Sequence, residues 1–303
     1  MPRTVGLVGC GRWGRRILGD LLDLGVRVHV VDPAAEPRSF ARAQGVRAVA
    51  ATDEVGTVDG IVVASPTTTH AAVVTSLLGL GVPIFVEKPL TADPRSADRL
   101  AAQAPERLFV MEKWRYHPGV EALAAVARSG ELGPVQGLRS VRLGWDGPHA
   151  DVDPLWILAP HDLSIAREVL GCIPEPRACA VEMVGGAVGG LVALLGESPW
   201  MSIEISVRAA ERRRDLALMC RDGTAVLRGA LDTVEIVRTF DPRRERPPEP
   251  ERLPISTEWP LRRELRAFLA HLDGGPPPRS SAAEGADTVR AAARLRELAG
   301  GTE

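Results

Sequence analysis

The stretch Val5-Gly6-Leu7-Val8-Gly9-Cys10-Gly11-Arg12-Trp13-Gly14-Arg15-Arg16-Ile17 decides the fold. Its first four residues predict a short buried strand, and apolar residues recur at helical spacing from Ile17 onward. Between them, Gly9, Gly11 and Gly14 fit the pattern G-x-G-x-x-G. A strand, a glycine turn and a helix in this order are typical of a dinucleotide-binding unit, because the glycines let the backbone approach a pyrophosphate closely. A purely structural glycine turn is the alternative.

A second strand, predicted over residues 26–31, ends at Asp32. An acidic residue at this distance after the glycines is placed to accept hydrogen bonds from the adenosine ribose of a bound dinucleotide. Its charge would repel a 2′-phosphate, so we expect NAD as the cofactor, with NADP as the alternative. Arg12 and Arg38 are candidate partners of the phosphates.

The composition limits the function classes. The 303 residues are enough for two domains, and a net charge of −2 gives no electrostatic surface for nucleic acid or a membrane. The four cysteines are scattered without metal or redox spacing, so we expect no metal and a cytoplasmic location. We identify no signal segment and no apolar run of about 20 residues, the length that spans a bilayer. Of 37 Lys and Arg residues only two are Lys, at positions 88 and 113, which hints that a compact ammonium is needed there.

The first part of the chain alternates strands and helices. Strands predicted over residues 47–49, 60–64, 83–86 and 108–111, with helices between them, indicate a parallel doubly wound sheet. Ligands of such sheets bind beyond the carboxyl ends of the strands. The glycine turn, Asp32, Ser65-Pro66-Thr67-Thr68-Thr69-His70 and Glu87-Lys88-Pro89 all follow predicted strands, so we expect them along one edge.

The pattern changes near residue 115. We therefore divide the chain into a dinucleotide-binding domain, residues 1–115, and a second domain, residues 116–303. The second domain has several strand-like runs with little helix between them. A helix ending at residue 170 is expected to open at Pro160-His161-Asp162, residues 241–256 are expected to form an exposed loop, and Ser281 with Glu284 predicts a capping box at the last helix.

Together the glycine turn, the segment 65–70, Glu87-Lys88-Pro89 and Pro160-His161-Asp162 resemble the Gfo/Idh/MocA (glucose–fructose oxidoreductase/inositol dehydrogenase) family. The resemblance implies an α/β fold, an N-terminal Rossmann doubly wound parallel sheet plus a C-terminal α+β domain with a large mostly antiparallel sheet. It implies hydride transfer between NAD(P) and a secondary alcohol or ketone of a sugar, sugar nucleotide or cyclitol. It also implies a homodimer or homotetramer formed through the C-terminal sheet.

The resemblance also implies the site residues. Lys88 and His161 would bind the substrate oxygen and carry its proton, and a helix N-terminus under His161 would keep the imidazole neutral. Tyr116 is a third catalytic candidate, for which packing is the alternative, and Trp156 either walls the substrate pocket or belongs to the core. The residues expected to bind the cofactor are Gly9, Gly11, Arg12, Trp13, Gly14, Asp32, Ser65, Pro66, Thr67, His70, Glu87 and Lys88.

The sequence departs from the family pattern at one position. Family members usually carry Asp four residues before the active-site His, whereas this chain has Ile157. Asp151, Asp153 or Asp162 would replace that carboxylate only if the fold turns one of them inward. Two alternatives therefore stay open: an imine reductase of the same family, and a non-catalytic regulator that binds the cofactor.

Overall fold

The computed structural model describes residues 3–145, 154–185, 187–229, 233–238 and 248–300. The chain divides into two compact units. The first comprises Met1–Lys113 and Pro260–Val289, and the second comprises Trp114–Trp259 and Arg290–Glu303. The first junction lies close to residue 115. The assignment of 260–289 to the first unit differs from the expected division into two continuous segments.

The first unit is built on a parallel sheet of six strands. They are β1 (Thr4–Val8), β2 (Arg27–Val31), β3 (Arg47–Val49), β4 (Gly60–Val63), β5 (Ile84–Glu87) and β6 (Leu108–Met111). Their order is β3-β2-β1-β4-β5-β6, so the direction of the strand order reverses between β1 and β4. This is the Rossmann arrangement, in which the ligand crevice lies outside the carboxyl ends at the reversal. The predicted doubly wound sheet is confirmed.

Four helices connect these strands and bury one face against the sheet. They are α1 (Arg12–Asp23), α2 (Ala35–Ala43), α3 (His70–Leu77) and α4 (Pro94–Gln103). In α1 the buried residues include Ile17, Leu18 and Leu21, which recur at helical spacing as the sequence predicts. Helix α4 is capped at its start, where the Asp93 carboxylate accepts a hydrogen bond from the Ser96 amide at 2.7 Å.

The second unit contains an eight-stranded sheet. Its strands are β7 (Val135–Trp145), β8 (Pro176–Val184), β9 (Ala187–Leu195), β10 (Trp200–Ser206), β11 (Arg208–Cys220), β12 (Gly223–Arg228), β13 (Thr233–Arg238) and β14 (Glu251–Pro254). Their order is β14-β13-β12-β11-β7-β10-β9-β8. Strands β7 and β10 run parallel, and the other paired neighbours are antiparallel. The mostly antiparallel sheet that the family resemblance implies is confirmed.

Strand β14 corrects part of the expected loop over residues 241–256. The loop prediction was wrong for Glu251–Pro254, which pairs antiparallel with β13 at the edge of the sheet. All four residues are exposed. This edge strand is held by backbone pairing and by surface ion pairs such as Arg238–Glu251, so it leaves no apolar alternation in the sequence. Residues 241–247 lie outside the described part of the chain.

Two helices of the second unit follow the domain junction. They are α5 (Pro118–Ser129) and α6 (Pro154–Leu170), and α6 does not open at Pro160 as expected. Pro160 lies inside α6, in its second turn. A proline lacks the N–H that an interior position would donate and usually marks a helix start. Here the apolar residues before Pro160 continue the helix toward its N-terminus, and another proline, Pro154, opens it.

Residues 260–289 belong with the first unit because their apolar side chains pack against its sheet. Helix α7 (Pro260–Leu272) stacks Phe268 on Phe85 of β5 with ring centroids 5.1 Å apart. A Cβ at Gly60 of β4 would lie within 3.0 Å of Leu272 and Phe268. The last helix, α8 (Ala282–Leu298), begins with the predicted capping box. Within the described ranges, no helix has the length and apolar character needed to cross a bilayer.

Candidate active site

The glycine turn after β1 is required by close packing. Gly9 has a φ of +94°, and a Cβ there would lie 2.7 Å from backbone atoms of Ala64 and Ser65. A Cβ at Gly14 would lie 2.1 Å from the carbonyl oxygen of Gly9. These two positions therefore accept only glycine without a shift of the backbone. They allow the turn, the end of β4 and helix α1 to meet closely.

Gly11 and the start of α1 form a cradle that suits a phosphate. A Cβ at Gly11 would meet nothing within 4 Å, so the space in front of this backbone is open. Gly11 is the N-cap of α1, and no described side chain caps the helix there. The first N–H groups of such a helix lack intrahelical partners and carry the positive end of its dipole. A dinucleotide pyrophosphate fits these donors, and the exposed Arg12 lies beside them.

Asp32 ties the glycine turn to the end of β2. One carboxylate oxygen accepts a hydrogen bond from the Cys10 amide at 2.8 Å, and the other accepts one from the Ala34 amide at 2.9 Å. The guanidinium of Arg38 donates to the carbonyl oxygens of Asp32 and Pro33 at 2.7 Å. Asp32 thus has a structural role at the predicted ribose position, and its carboxylate retains further acceptor lone pairs.

His70 connects two of the loops at the same sheet edge. Its Nδ1 lies 2.9 Å from the carbonyl oxygen of Pro89, and its Nε2 lies 3.0 Å from that of Ser65. Burial lowers the pKa of this imidazole and the charge of Lys88 lowers it further, against the opposing effect of the carbonyl contacts. His70 therefore links the segment after β4 to the segment after β5.

The Glu87-Lys88-Pro89 turn follows β5 and contacts the glycine turn through Trp13. The indole N–H of Trp13 donates to Glu87 Oε1, and the backbone N–H of Lys88 lies 3.2 Å from Glu87 Oε2. Burial raises the pKa of Glu87, while Lys88, Lys113 and the Trp13 hydrogen bond oppose this rise. Within the first unit, the structure thus brings the predicted cofactor-binding segments to one sheet edge.

His161 lies in the second unit, and its local structure differs from the expected one. It is the eighth residue of α6, so the expectation that a helix N-terminus holds it neutral was wrong. The first turn of α6 is formed by residues before Pro160, and the dipole acts mainly at that first turn. His161 is buried, with its ring centroid 6.4 Å from that of Trp114 in an edge-to-face arrangement.

Asp162 does not replace the missing family carboxylate. Its two oxygens accept hydrogen bonds from Arg142 and from the Ser140 hydroxyl, and its side chain is fully buried. Sequence reasoning missed this cluster. The signal was present, because Leu138, Ser140 and Arg142 alternate on the inward face of β7. Asp151 and Asp153 lie outside the described residues.

The other predicted residues of the second unit are partly or fully buried. Ile157 lies one turn before His161 on α6 and is 7 % exposed, so an apolar side chain occupies the position of the usual Asp. Tyr116 is 5 % exposed in a short 3-10 helix, Lys113–Tyr116. Trp156 packs against the hydrophobic core of the second unit and remains partly exposed. The catalytic role of Tyr116 and the substrate contact of Trp156 stay predictions.

Comparison with known proteins agrees with this fold. Residues 3–111 match the model of the Gfo/Idh/MocA oxidoreductase family with its NAD-binding Rossmann fold. The chain is 31 % identical over 186 residues to the UDP-N-acetylglucosamine 3-dehydrogenase of Acidithiobacillus ferrooxidans, a match that covers 59 % of this chain and 58 % of the relative. It is 34 % identical over 157 residues to the myo-inositol dehydrogenase Hyg17 of Streptomyces leeuwenhoekii, covering 49 % and 48 %. The chain thus spans about half the length of these relatives.

The fold similarity extends over the whole chain. A crystal structure of the UDP-N-acetylglucosamine 3-dehydrogenase GnnA from Acidithiobacillus ferrooxidans superposes with a TM-score of 0.85 over 98 % of both chains, at 23 % identity. Residues 3–111 are thus the NAD-binding Rossmann fold of the Gfo/Idh/MocA oxidoreductase family, with the glycine turn at the reversal of the strand order. For the rest of the chain, the comparison with the solved structure shows the fold.

Proposed function

We propose that this protein is an NAD-dependent dehydrogenase acting on a secondary alcohol or ketone of a sugar, sugar nucleotide or cyclitol. The observation that carries this proposal is the position of Lys88. It follows β5 directly, at the same sheet edge as the glycine turn, and Glu87 beside it contacts Trp13 of that turn. A lysine at this edge is suited to bind an oxygen on which negative charge develops.

In the proposed chemistry, one side chain binds the substrate oxygen and another transfers its proton. The bound dinucleotide supplies the hydride acceptor or donor. Lys88 hydrogen-bonds the substrate oxygen and stabilises developing alkoxide charge. His161 takes the hydroxyl proton during oxidation and returns it during reduction, since an imidazole titrates near neutral pH. Tyr116 is proposed as an additional donor to the same oxygen.

The names of the relatives favour a hydroxyl-bearing substrate. One relative is a UDP-N-acetylglucosamine 3-dehydrogenase and another is a myo-inositol dehydrogenase. UDP-N-acetylglucosamine and myo-inositol are therefore the first two compounds to test. Neither the imine reductase nor the non-catalytic regulator gains support from these relatives.

The direct test is turnover of these compounds by the purified protein. NADH formation from NAD+ is followed by absorbance, and NADH binding is followed by nicotinamide fluorescence. In Lys88→Met and His161→Asn we expect kcat to fall about 10²- to 10⁴-fold, while NADH affinity changes by less than about threefold. NADH binding without turnover of alcohols, ketones or imines would refute the dehydrogenase and favour the regulator.

We also propose a cytoplasmic homodimer or homotetramer formed through the exposed face of the eight-stranded sheet. Val192 and Leu194 of β9 support this assembly, because they are 56 % and 53 % exposed although both are apolar. Four unpaired thiols support a reducing compartment. Light scattering of the wild type and of Leu194→Glu tests the assembly, and a monomeric wild type would contradict it. Cell fractionation tests the location.

A further inference from the structure

The only two lysines of the chain lie near the ends of neighbouring strands and act on the same carboxyl group. Lys88 follows β5 directly, and Lys113 lies two residues after the end of β6. The charges of both lysines lower the pKa of Glu87, against the larger effect of its burial. In a chain that otherwise uses arginine, both ammonium groups thus act on one half-buried glutamate.

Trp13 links Lys113 to Glu87. The ammonium of Lys113 lies 4.2 Å from the centroid of the Trp13 ring, within the range of a cation–π interaction. The indole N–H of the same tryptophan donates to Glu87. Trp13 belongs to the first turn of α1, next to the phosphate cradle at Gly11. Lys113 therefore contacts a residue of the glycine turn, although 100 positions separate it from Trp13 in sequence.

Two further carboxyl groups complete what we call the carboxyl cluster: Glu87, Glu112 and Glu264. Glu264 of α7 is 1 % exposed, and its Oε2 has no hydrogen-bond partner among the described residues. Burial raises its pKa well above the usual value, Glu87 and Glu112 raise it further, and Lys113 opposes them. Glu112 accepts hydrogen bonds from the hydroxyls of Ser280 and Thr288 at 3.0 and 3.1 Å.

The hydrogen bonds distinguish the members of the carboxyl cluster. Glu87 receives N–H donors on both oxygens, as an ionised carboxylate requires, whereas Glu264 leaves an oxygen unpaired in the interior. An unpaired buried charge costs far more free energy than a neutral acid in the same place.

Other charged groups of α7 and of the neighbouring helix α1 interact with each other. Arg262 of α7 interacts with Asp20 and Asp23 of α1.

We propose that Glu264 is the protonated member and Glu87 the ionised member of the carboxyl cluster, and that Lys113 is the positioning residue that fixes this assignment. Through Glu87, Lys113 holds Trp13 and the Glu87-Lys88-Pro89 turn at the cofactor edge. The proposal concerns the first unit alone, so it holds or fails independently of which substrate the protein uses.

The protonation assignment is tested by the pH dependence of stability. A protonated Glu264 in the folded state means that unfolding at neutral pH releases one proton, so stability falls as pH rises above the usual glutamate pKa. Glu264→Gln keeps the shape and removes the proton. From pH 5 to 8 we expect the unfolding free energy of the wild type to fall relative to that of Glu264→Gln. The difference between the two pH slopes should correspond to the release of up to one proton on unfolding. The NADH affinity of Glu264→Gln should stay within about twofold of the wild type. Parallel stability profiles would overturn the assignment.

A second measurement tests the assignment in the wild type itself. The infrared C=O band of a protonated carboxylic acid is expected in the wild type at pH 7 and should disappear in Glu264→Gln. Absence of such a band in the wild type would also overturn the assignment.

The role of Lys113 is tested by cofactor binding in Lys113→Met and Lys113→Arg. In Lys113→Met, Glu87 loses a counter-charge and takes up a proton more readily, so we expect NADH affinity to fall about tenfold and to become pH-dependent between pH 6 and 8. Lys113→Arg keeps the charge and is expected to bind NADH within about threefold of the wild type. Wild-type affinity and pH dependence in Lys113→Met would overturn the positioning role.

Discussion

Arg142 and Asp162 form a bidentate ion pair in the interior of the second unit. Arg142 Nε donates to one carboxylate oxygen at 3.0 Å and Nη2 donates to the other at 2.9 Å. The Arg142 guanidinium also lies 4.8 Å from the centroid of the Trp114 ring. Because Asp162 directly follows His161, this pair fastens the turn of α6 that carries the candidate catalytic imidazole to strand β7.

Breaking this pair from either side should destabilise the protein strongly. Arg142→Met leaves a buried carboxylate and Asp162→Leu leaves a buried guanidinium, so each single change should cost about 3–5 kcal/mol. The double variant should lose less than the sum, since it leaves neither charge alone. Urea denaturation measures all three. The exposed pair Arg294–Glu297 provides the control, because Arg294→Gln should cost less than about 1 kcal/mol. Additive losses in the double variant would contradict a coupled buried pair.

Two glycines of α1 should respond in opposite ways to alanine. Gly14→Ala places a Cβ 2.1 Å from a backbone carbonyl, so we expect a displaced glycine turn and at least about a tenfold loss of NADH affinity. Gly19→Ala adds a Cβ that meets nothing within 4 Å on the same helix. This control should gain about 0.5–1 kcal/mol of stability and keep its NADH affinity. Equal NADH affinities in the two variants would show that the close contact at Gly14 is unimportant for binding.

The sequence predicted the first unit better than the second because its signals are local. The glycine turn, the buried strands and the segments after them each carry their own pattern, and the parallel sheet brings the strand ends together at one edge. The packing of α7 against the sheet of the first unit was not predictable. The sequence of an amphipathic helix shows which face is buried but not which element covers that face. Phe268 on Phe85 is a contact between residues far apart in sequence.

His161 and the carboxyl cluster illustrate two further limits. A proline before a histidine predicts a helix start, and only tertiary packing shows that α6 continues past Pro160 to Pro154. The sequence singled out Lys113 as unusual but gave no partner for it. Glu264 lies 151 residues further along the chain and becomes its neighbour only when α7 packs against the sheet.

His70 should make stability fall in mild acid. Burial lowers its folded pKa below the usual value of about 6.5, so below that pH the unfolded chain binds a proton that the folded protein does not. Stability contributed by neutral His70 is therefore present above about pH 6.5 and lost as pH falls, by up to about 1.4 kcal/mol per pH unit. His70→Gln should remove this slope between pH 5 and 6.5, measured by urea denaturation. Thr75→Ala, on the same helix, serves as the control and should keep it. An unchanged slope in His70→Gln would rule out this titration.

Asp32 should decide between the two dinucleotides. Asp32→Asn removes the charge that disfavours a 2′-phosphate, while the remaining side-chain oxygen still accepts one of the two amide hydrogen bonds. We expect the ratio of NADPH to NADH affinity to rise at least about tenfold in a fluorescence titration. Asp23→Asn, an exposed carboxylate on α1, should leave the ratio unchanged. Preference of the wild type for NADPH would contradict this role of Asp32.

Ile157→Asp should restore the carboxylate that the family usually carries at this position. On α6 the side chains at 157 and 161 lie one turn apart on one face, so a carboxylate there should raise the pKa of His161 and make it a stronger base. The change buries a charge at a position that is 7 % exposed, and we expect a stability loss of about 1–3 kcal/mol. The measurement is the pH profile of alcohol oxidation, with Ile157→Asn as the uncharged control. If Ile157→Asp shifts the acidic limb of that profile to higher pH and Ile157→Asn does not, Ile157 sets the basicity of His161. Identical profiles in the two variants would mean that the proton leaves the substrate without help from position 157.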